Sequence, residues 1–174
     1  MSLHAILTTY WNQTLIILAV ISYFGKRTFD LISKKREINH SIFQQRRLDS
    51  INSFFSIYAE TEQLWADINT YEIFRLEINA KQLDNMVYPT YNALKRNVLE
   101  LQIYFNEYEH ENFVKILKNI TLIKAKLGEI YFDYEANKTI TQKSNNFQFY
   151  RDEKLQENEL VFKKITESLK KTFQ

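Results

Sequence analysis

The sequence predicts an all-α fold, in which a single N-terminal transmembrane helix continues into a cytoplasmic bundle of four to five long helices. The chain of 174 residues contains only two glycines and one proline, whereas β-sandwiches, barrels and α/β folds use these residues at most turns. Apolar residues recur at spacings of three and four along most of the chain, which is the period of an amphipathic helix. The scarcity of glycine excludes a Gly-rich phosphate loop, and the absence of cysteine excludes disulfides, thiol nucleophiles and Cys-ligated metals.

The first element is a transmembrane helix expected over residues 3–24. No Asp, Glu, Lys or Arg occurs before Lys26, and the segment contains the strongly apolar run from Leu15 to Ile21. About 20 residues cross the hydrocarbon of a bilayer. No basic residue precedes the run, so a cleavable signal peptide is not expected. The basic residues that follow it place the N-terminus outside and the body in the cytoplasm, so the predicted location is the cytoplasmic membrane, crossed once.

One face of this helix carries small and polar residues. At 100° per residue, a narrow stripe with spacings of three and four contains Thr8, Asn12, Leu15, Ala19, Ser22 and Lys26. Polar groups that face lipid stay unsatisfied, so the stripe favours contact between helices or a wet surface inside a ring of helices. We expect these residues to line a pore, with Leu15 as an apolar constriction and Lys26 as a positive ring at the inner mouth. The alternative is a simple anchor, in which only residues 14–24 are buried in the hydrocarbon.

The second element is a basic juxtamembrane stalk over residues 25–50. Residues 1–47 have a net charge of +5 and the other 127 residues one of −3, so the small net charge of the chain hides a basic segment beside a mildly acidic body. We expect Arg27, Lys34 and Lys35 to contact anionic lipid headgroups. Direct RNA binding by the same segment is the other interpretation.

The third element is a cytoplasmic helical bundle over residues 51–174. Four apolar faces with helical spacing predict most of its helices: Ile51, Phe54, Phe55, Tyr58, Trp65 and Ile68; Ile73, Leu76, Ala80, Leu83 and Val87; Tyr91, Leu94, Val98, Leu101, Phe105 and Tyr108; Phe113, Ile116, Leu117, Ile120, Ile123, Leu127, Ile130, Tyr131 and Tyr134. The second face is expected to end at Pro89, with Thr90 capping the next helix. The polar segment 137–146 is expected to be a loop, followed by a final helix around residues 151–173.

Catalytic side chains are scarce, and the only candidates are weak. Arg36 and His40 lie one helical turn apart, where an Arg and a His stabilise phosphate charge and assist attack by an RNA 2′-hydroxyl; contact with lipid headgroups is the interpretation we favour for them. The segments Glu37-Ile-Asn-His40 and Glu107-Tyr-Glu-His110 have the Glu-x-x-His spacing of di-iron bundles, but the basic residues beside the first oppose metal binding. We therefore predict no enzymatic activity, no cofactor and no metal.

In its size, its single N-terminal span, its aromatic-rich helical body and its Arg36 and His40 pair, the chain resembles the small membrane-bound accessory proteins of type VI-B CRISPR systems. Those proteins are divergent relatives of HEPN domains, whose motif is an Arg, four to six residues and then a His, whereas three residues separate Arg36 from His40 here. The resemblance implies a homo-oligomeric ring that forms a membrane pore and enhances antiphage defence when a partner, an RNA-guided RNA-cutting effector, detects its target. Two alternatives stay open: a membrane-anchored helical adaptor without pore activity, and a tethered HEPN-like ribonuclease.

Overall fold

The computed structural model describes residues 10–132 and 139–173, except for the side chains of residues 12, 14, 172 and 173. All regular structure in these ranges is helical, which confirms the predicted all-α class. The helices are α1 (Trp11–Asp67), α2 (Thr70–Phe74), α3 (Ala80–Leu101), α4 (Glu107–Tyr131) and α5 (Ile140–Phe173). Four of them are long, and α2 has five residues.

The chain divides into two compact units, Met1–Arg46 and Arg47–Gln174. In the first unit, the described residues belong to the N-terminal part of α1, which has 57 residues in total. The second unit holds the C-terminal part of α1 and all of α2 to α5. Gly25 does not interrupt α1, because a helix tolerates a single glycine at a cost of about 1 kcal/mol relative to alanine.

The predicted apolar face of α1 is confirmed from Ile51 onward. Ile51, Phe54 and Tyr58 are buried at spacings of three and four, and Trp65 follows two turns later. The Phe54 ring packs edge-on against Phe113 of α4, with their centroids 4.9 Å apart. An aromatic core of this kind buries large apolar surfaces, and edge-to-face pairs add about 0.5–1.5 kcal/mol to that burial.

The prediction of one helical face from Ile73 to Pro89 is wrong. The chain leaves α2 at Phe74, and Leu76 adopts a left-handed backbone with φ 62°. Asn79 then starts α3 with a capping box, because its side chain accepts from the Gln82 backbone N–H while the Gln82 side chain accepts from the Asn79 N–H. The reciprocal cap at Asn79 therefore starts a new helix, although the apolar spacing from Ile73 to Val87 indicates a single one.

Pro89 lies inside α3 and does not end it. Buried Val87 and Leu94 continue one apolar stripe across the proline, and tertiary packing of such a stripe outweighs the missing backbone hydrogen bond. Thr90 caps no helix; its hydroxyl donates to the Val87 carbonyl oxygen, 3.3 Å away.

The expected loop over 137–146 is also wrong from residue 140 onward, since α5 begins at Ile140; residues 137 and 138 lie outside the described ranges. Thr139 and Gln142 form reciprocal bonds, with Gln142 N 3.2 Å from Thr139 Oγ1 and Thr139 N 2.9 Å from Gln142 Oε1. These two bonds have the pattern of a capping box. The polar residues therefore form the first turns of a helix whose inner face carries Ser144 and Phe147, both fully buried.

In the second unit, α4 and the C-terminal part of α1 both lie between α3 and α5. The pair of α4 and α5 has the most extensive contact, and Tyr91 of α3 meets Thr121 of α4 through their hydroxyls at 3.2 Å. On the α1 side, Ser50 Oγ donates to Glu100 Oε1 of α3 at 3.0 Å, and the Tyr58 ring stacks on Phe162 of α5 at 5.6 Å. α3 and α5 thus occupy opposite sides of the bundle.

Candidate membrane-contacting helix and assembly surfaces

The first part of α1 presents an exposed, uncharged and largely apolar surface. Its large side chains are all exposed within the chain: Leu15, Ile16, Ile17, Leu18, Val20, Ile21, Tyr23 and Phe24. A contiguous exposed apolar patch that includes eight large side chains indicates contact with a membrane or with another protein. A helix that is apolar around most of its circumference is typical of burial in a membrane or in a large core.

The predicted pore-lining residues are only partly within the described structure. Thr8 and the side chain of Asn12 lie outside it, whereas Leu15, Ala19, Ser22 and Lys26 are all exposed. Because α1 is continuous, their spacing of four, three and four residues places them on one helical face. No titratable group interrupts this stripe before Lys26.

An aromatic and basic turn follows the apolar run. Tyr23 and Phe24 meet edge-on with their ring centroids 5.8 Å apart, and Arg27 Nη1 donates to the Tyr23 hydroxyl at 3.4 Å. Thr28 Oγ1 donates to the Phe24 carbonyl oxygen at 2.8 Å. Tyrosine and arginine in this order are typical of a membrane interface, where the ring is amphipathic and the guanidinium reaches the headgroups.

The predicted headgroup contacts are available on the surface of α1. Arg27, Lys34 and Lys35 are exposed. The weak catalytic candidates Arg36 and His40 are also exposed and lie one turn apart on α1. The helix brings these two side chains to one face, where both are exposed to solvent, whereas a general acid or base acts best where water is excluded.

Within residues 10–132 and 139–173, no helix has an apolar segment of sufficient length to cross a membrane. The first seven residues of the predicted span, 3–9, precede these ranges. In the same ranges, no three His, Asp or Glu side chains group as metal ligands.

The bundle carries two surface features that the sequence did not reveal. The first is Phe149 on α5, which lies beside an open groove of about 730 Å³ lined mainly by carboxylates: Glu62, Asp152, Glu153 and Glu159. The second is a cavity of about 350 Å³ between α3 and α4, lined by Leu83, Val87, Tyr88, Leu127, Gly128, Tyr131 and Phe132 among others. The sequence signal that could have indicated an exposed Phe149 is its position two residues after Phe147. In a helix, this spacing places the two rings on different faces.

Lys124 stands over the aromatic wall of the second feature. Its Nζ lies 4.1 Å from the ring centroid of Tyr88 and 4.5 Å from that of Tyr91, within the range of a cation–π contact. Gly128 forms part of the same wall, and a Cβ atom added to it would meet no atom within 4 Å. The wall therefore has space above Gly128.

A buried polar group lies deeper in the bundle. Asn119 Nδ2 donates to Asn158 Oδ1 at 2.9 Å, and the Tyr58 hydroxyl donates to Glu62 Oε1 at 3.5 Å. Burial, with a further contribution from the Glu62 carboxylate, raises the pKa of Tyr58 well above its ordinary value. The Tyr58 hydroxyl therefore remains a neutral hydrogen-bond donor, which suits a structural role.

In comparisons with protein-family models, curated proteins and solved structures, the chain matched none of them.

Proposed function

We propose that the chain is a membrane protein whose N-terminal helices assemble around a common axis and form a pore that depolarises the cytoplasmic membrane. The observation that carries this proposal is the apolar run Leu15–Phe24, exposed on all sides and followed on the same helix by exposed basic residues. Apolar surface of this extent is removed from water when it enters lipid, which stabilises the inserted state by about 25 cal/mol per Å². The basic residues then favour a cytoplasmic position for the bundle.

The stripe of Leu15, Ala19, Ser22 and Lys26 supports a pore over a single anchoring helix. Small residues such as Ala19 and Ser22 let helices approach closely in a membrane. A lysine at the end of such a face is costly against lipid and is accommodated where it reaches water or headgroups. In a ring of helices, the same stripe faces an aqueous axis.

A role in defence enters this proposal through the resemblance to type VI-B CRISPR accessory proteins. In that context, the trigger is contact with an RNA-guided effector that has detected its target, and depolarisation is the response. The proposed protein is not an enzyme, because Arg36 and His40 stand on an open helix face.

A membrane-anchored adaptor without a pore is the second candidate, and one observation favours it. The exposed apolar run from Leu15 to Phe24 is ten residues long, which is about 15 Å of helix against the roughly 30 Å thickness of the hydrocarbon. A run of this length suits a helix that only partly enters the bilayer. In this case, the bundle recruits a partner and no current flows.

Reconstitution of the full-length protein into liposomes with anionic and neutral lipids separates the two candidates. We expect the wild type to pass ions, and Ala19→Leu to reduce the flux at least tenfold, because it adds bulk to the proposed lining. Val20→Leu is the matched control, since it adds a methylene 100° away from that face and leaves the flux unchanged. Protein that inserts fully and never conducts overturns the pore and supports the adaptor.

The charge at Lys26 gives an independent readout. A ring of lysines favours anions, so Lys26→Glu is expected to shift the reversal potential toward cation selectivity. For the ribonuclease alternative, the double variant Arg36→Ala, His40→Ala is compared with the wild type in the defence assay. Loss of protection with normal ion flux is the result that revives a catalytic role.

A further inference from the structure

The ring of Phe149 protrudes from α5 with no cover from its own chain. Its exposed fraction is 76%, whereas Phe147 is fully buried. Phe149 lies between two depressions, since it lines the carboxylate groove with Asp152 and also a neighbouring groove with Lys143. It therefore forms a ridge that a concave apolar surface can receive.

The cavity between α3 and α4 is such a surface. Its walls are mainly apolar and aromatic, and its volume of about 350 Å³ is larger than one phenyl ring requires. Gly128 leaves part of the wall open. At the rim, Lys124 rests on Tyr88 and Tyr91, and within the described ranges it forms no salt bridge.

Charges of opposite sign lie beside the two features, although Asp84 also lines the cavity and Lys126 and Lys143 line one groove beside Phe149. Asp152 and Glu153 flank Phe149, and their side chains are 64% and 51% exposed although they contact Arg151 and Lys154. Lys124 supplies the opposite charge beside the cavity. A carboxylate and an ammonium at the edge of an apolar contact fix its orientation and register more than they add affinity.

The ridge and the cavity are separate surfaces that lie toward the same end of the bundle. The cavity belongs to the seam of α3 with α4, whereas Phe149 stands on α5 between a groove shared with α1 and a groove shared with α4. Both are near the segment that contains α2: Phe74 packs against Phe147 at 6.3 Å, and the Ile78 carbonyl accepts from the Tyr131 hydroxyl at 3.1 Å. Contacts between two different surfaces of one subunit type are head-to-tail, and they close into a ring when the rotation permits.

We propose that Phe149 of one copy inserts into the α3–α4 cavity of the next copy, with Lys124 facing Asp152 and Glu153 across the contact. The occupant of the cavity is a second copy of this chain. This assignment rests on the proposed function, because it supplies the contact between the bundles of an assembled pore.

Crosslinking tests the contact directly, since the chain contains no cysteine. Asn145→Cys, one helical turn before Phe149, and Ala125→Cys place one thiol beside the ridge and one beside the cavity. Both leave Phe149, Asp152, Glu153, Lys124 and Gly128 intact. With a short bis-maleimide, the double variant in membranes is expected to form a ladder that ends at the subunit number of the ring. Each single variant, and the control pair Tyr108→Cys with Ala125→Cys, is expected to give no ladder, because Tyr108 is exposed in the first turn of α4, several turns before the cavity.

Two substitutions test the same contact by removing it. Gly128→Leu fills the cavity, has no neighbour to clash with at Cβ and favours the helix over glycine, so the thermal midpoint of the bundle is retained or raised while assembly is lost. Phe149→Ala removes the ridge, with Tyr108→Ala as its matched exposed control. We expect at least a tenfold loss of the assembled particle, by size-exclusion chromatography with light scattering, for Gly128→Leu and Phe149→Ala but not for Tyr108→Ala.

The outcomes separate this contact from the function it serves. A wild-type protein that is monomeric in mild detergent and in membranes overturns both. The Phe149 contact alone is overturned by a different set of results. In that case the wild type assembles, the double-cysteine variant gives no ladder, and Gly128→Leu and Phe149→Ala still assemble. The pore proposal then stands.

Discussion

The buried hydrogen bond between Asn119 and Asn158 is expected to stabilise the bundle. The bond joins α4 to α5 at 2.9 Å, and Asn158 is fully buried while Asn119 is nearly so. Asn158→Ala deprives Asn119 Nδ2 of its acceptor, and Asn119→Ala deprives Asn158 Oδ1 of its donor. A buried polar group that loses its partner costs about 1–3 kcal/mol, so Asn119→Ala is expected to lower the free energy of unfolding by that amount. Asn158→Ala is expected to cost less, because it also removes the buried Asn158 Nδ2, which has no hydrogen-bond partner among the described residues.

The double variant removes both polar groups and leaves neither of these two unpaired. Its loss of unfolding free energy is therefore expected to be smaller than the sum of the two single losses by about 1–2 kcal/mol. This difference is the coupling energy of the two side chains, because each single variant also includes the cost of leaving the other side chain unpaired. For a chain of this length, each kcal/mol corresponds to roughly 2–4 °C in the thermal midpoint.

Urea unfolding followed by Trp65 fluorescence measures this coupling in the full-length chain. Trp65 is 1% exposed and lies 6.3 Å from the Phe147 ring, and Trp11→Phe removes the other tryptophan. Leu160→Ala, at an exposed position of α5, is the control and is expected to stay within about 0.5 kcal/mol of the parent. Single effects that add without coupling, within about 0.5 kcal/mol, refute the role assigned to this bond.

Three further predictions concern the bundle. Burial and Glu62 raise the pKa of Tyr58 above its ordinary 10.0. From about pH 10 upward, the unfolded chain therefore loses the Tyr58 proton while the folded chain keeps it. The free energy of unfolding then falls by up to about 1.4 kcal/mol per pH unit. Tyr58→Phe should flatten that fall in urea unfolding between about pH 9 and 11. Phe54→Ala removes a fully buried ring that contacts Phe113 and should cost about 3–5 kcal/mol in the same assay. Asn79→Ala removes the α3 cap and should cost about 0.5–2 kcal/mol, with the helical circular dichroism largely retained.

The exposed Ile103 provides a common control for these three variants. Ile103→Ala is expected to change the free energy of unfolding by no more than about 0.5 kcal/mol. A Tyr58→Phe variant whose alkaline stability falls as steeply as that of the parent contradicts the assignment of this titration to Tyr58.

Periodicity predicted the helical class and most of the core, because a buried helical stripe requires apolar residues at fixed intervals. Ile116, Ile120, Ile123 and Leu127 of α4 were expected on one face, and all are buried. Helix ends were harder to predict, because they depend on a few hydrogen bonds. Asn79 and Thr139 each start a helix through a reciprocal bond with the side chain three residues later, and neither contributes to an apolar pattern.

The parts of the candidate site that lie on one continuous stretch of sequence could be predicted. The apolar run, the stripe through Ala19 and Ser22 and the basic segment all follow from consecutive residues on one helix. The ridge at Phe149 and the cavity beside Gly128 were not predictable in this way. The cavity combines residues of α3 and α4 that only the fold brings together. Phe149 lies between the expected loop, 137–146, and the expected final helix, 151–173, in a part of α5 to which the sequence assigned no structure.

The local structure requires neither of the two glycines of the chain. Gly25 and Gly128 both lie within helices, where glycine costs about 0.5–1 kcal/mol relative to alanine. Neither position needs the absence of a side chain within the chain itself, because a Cβ atom at either would meet no atom within 4 Å. The local structure therefore does not account for either residue. At Gly128, the proposed contact supplies a reason, since glycine lets the Phe149 ring of another copy come nearer to the helix backbone.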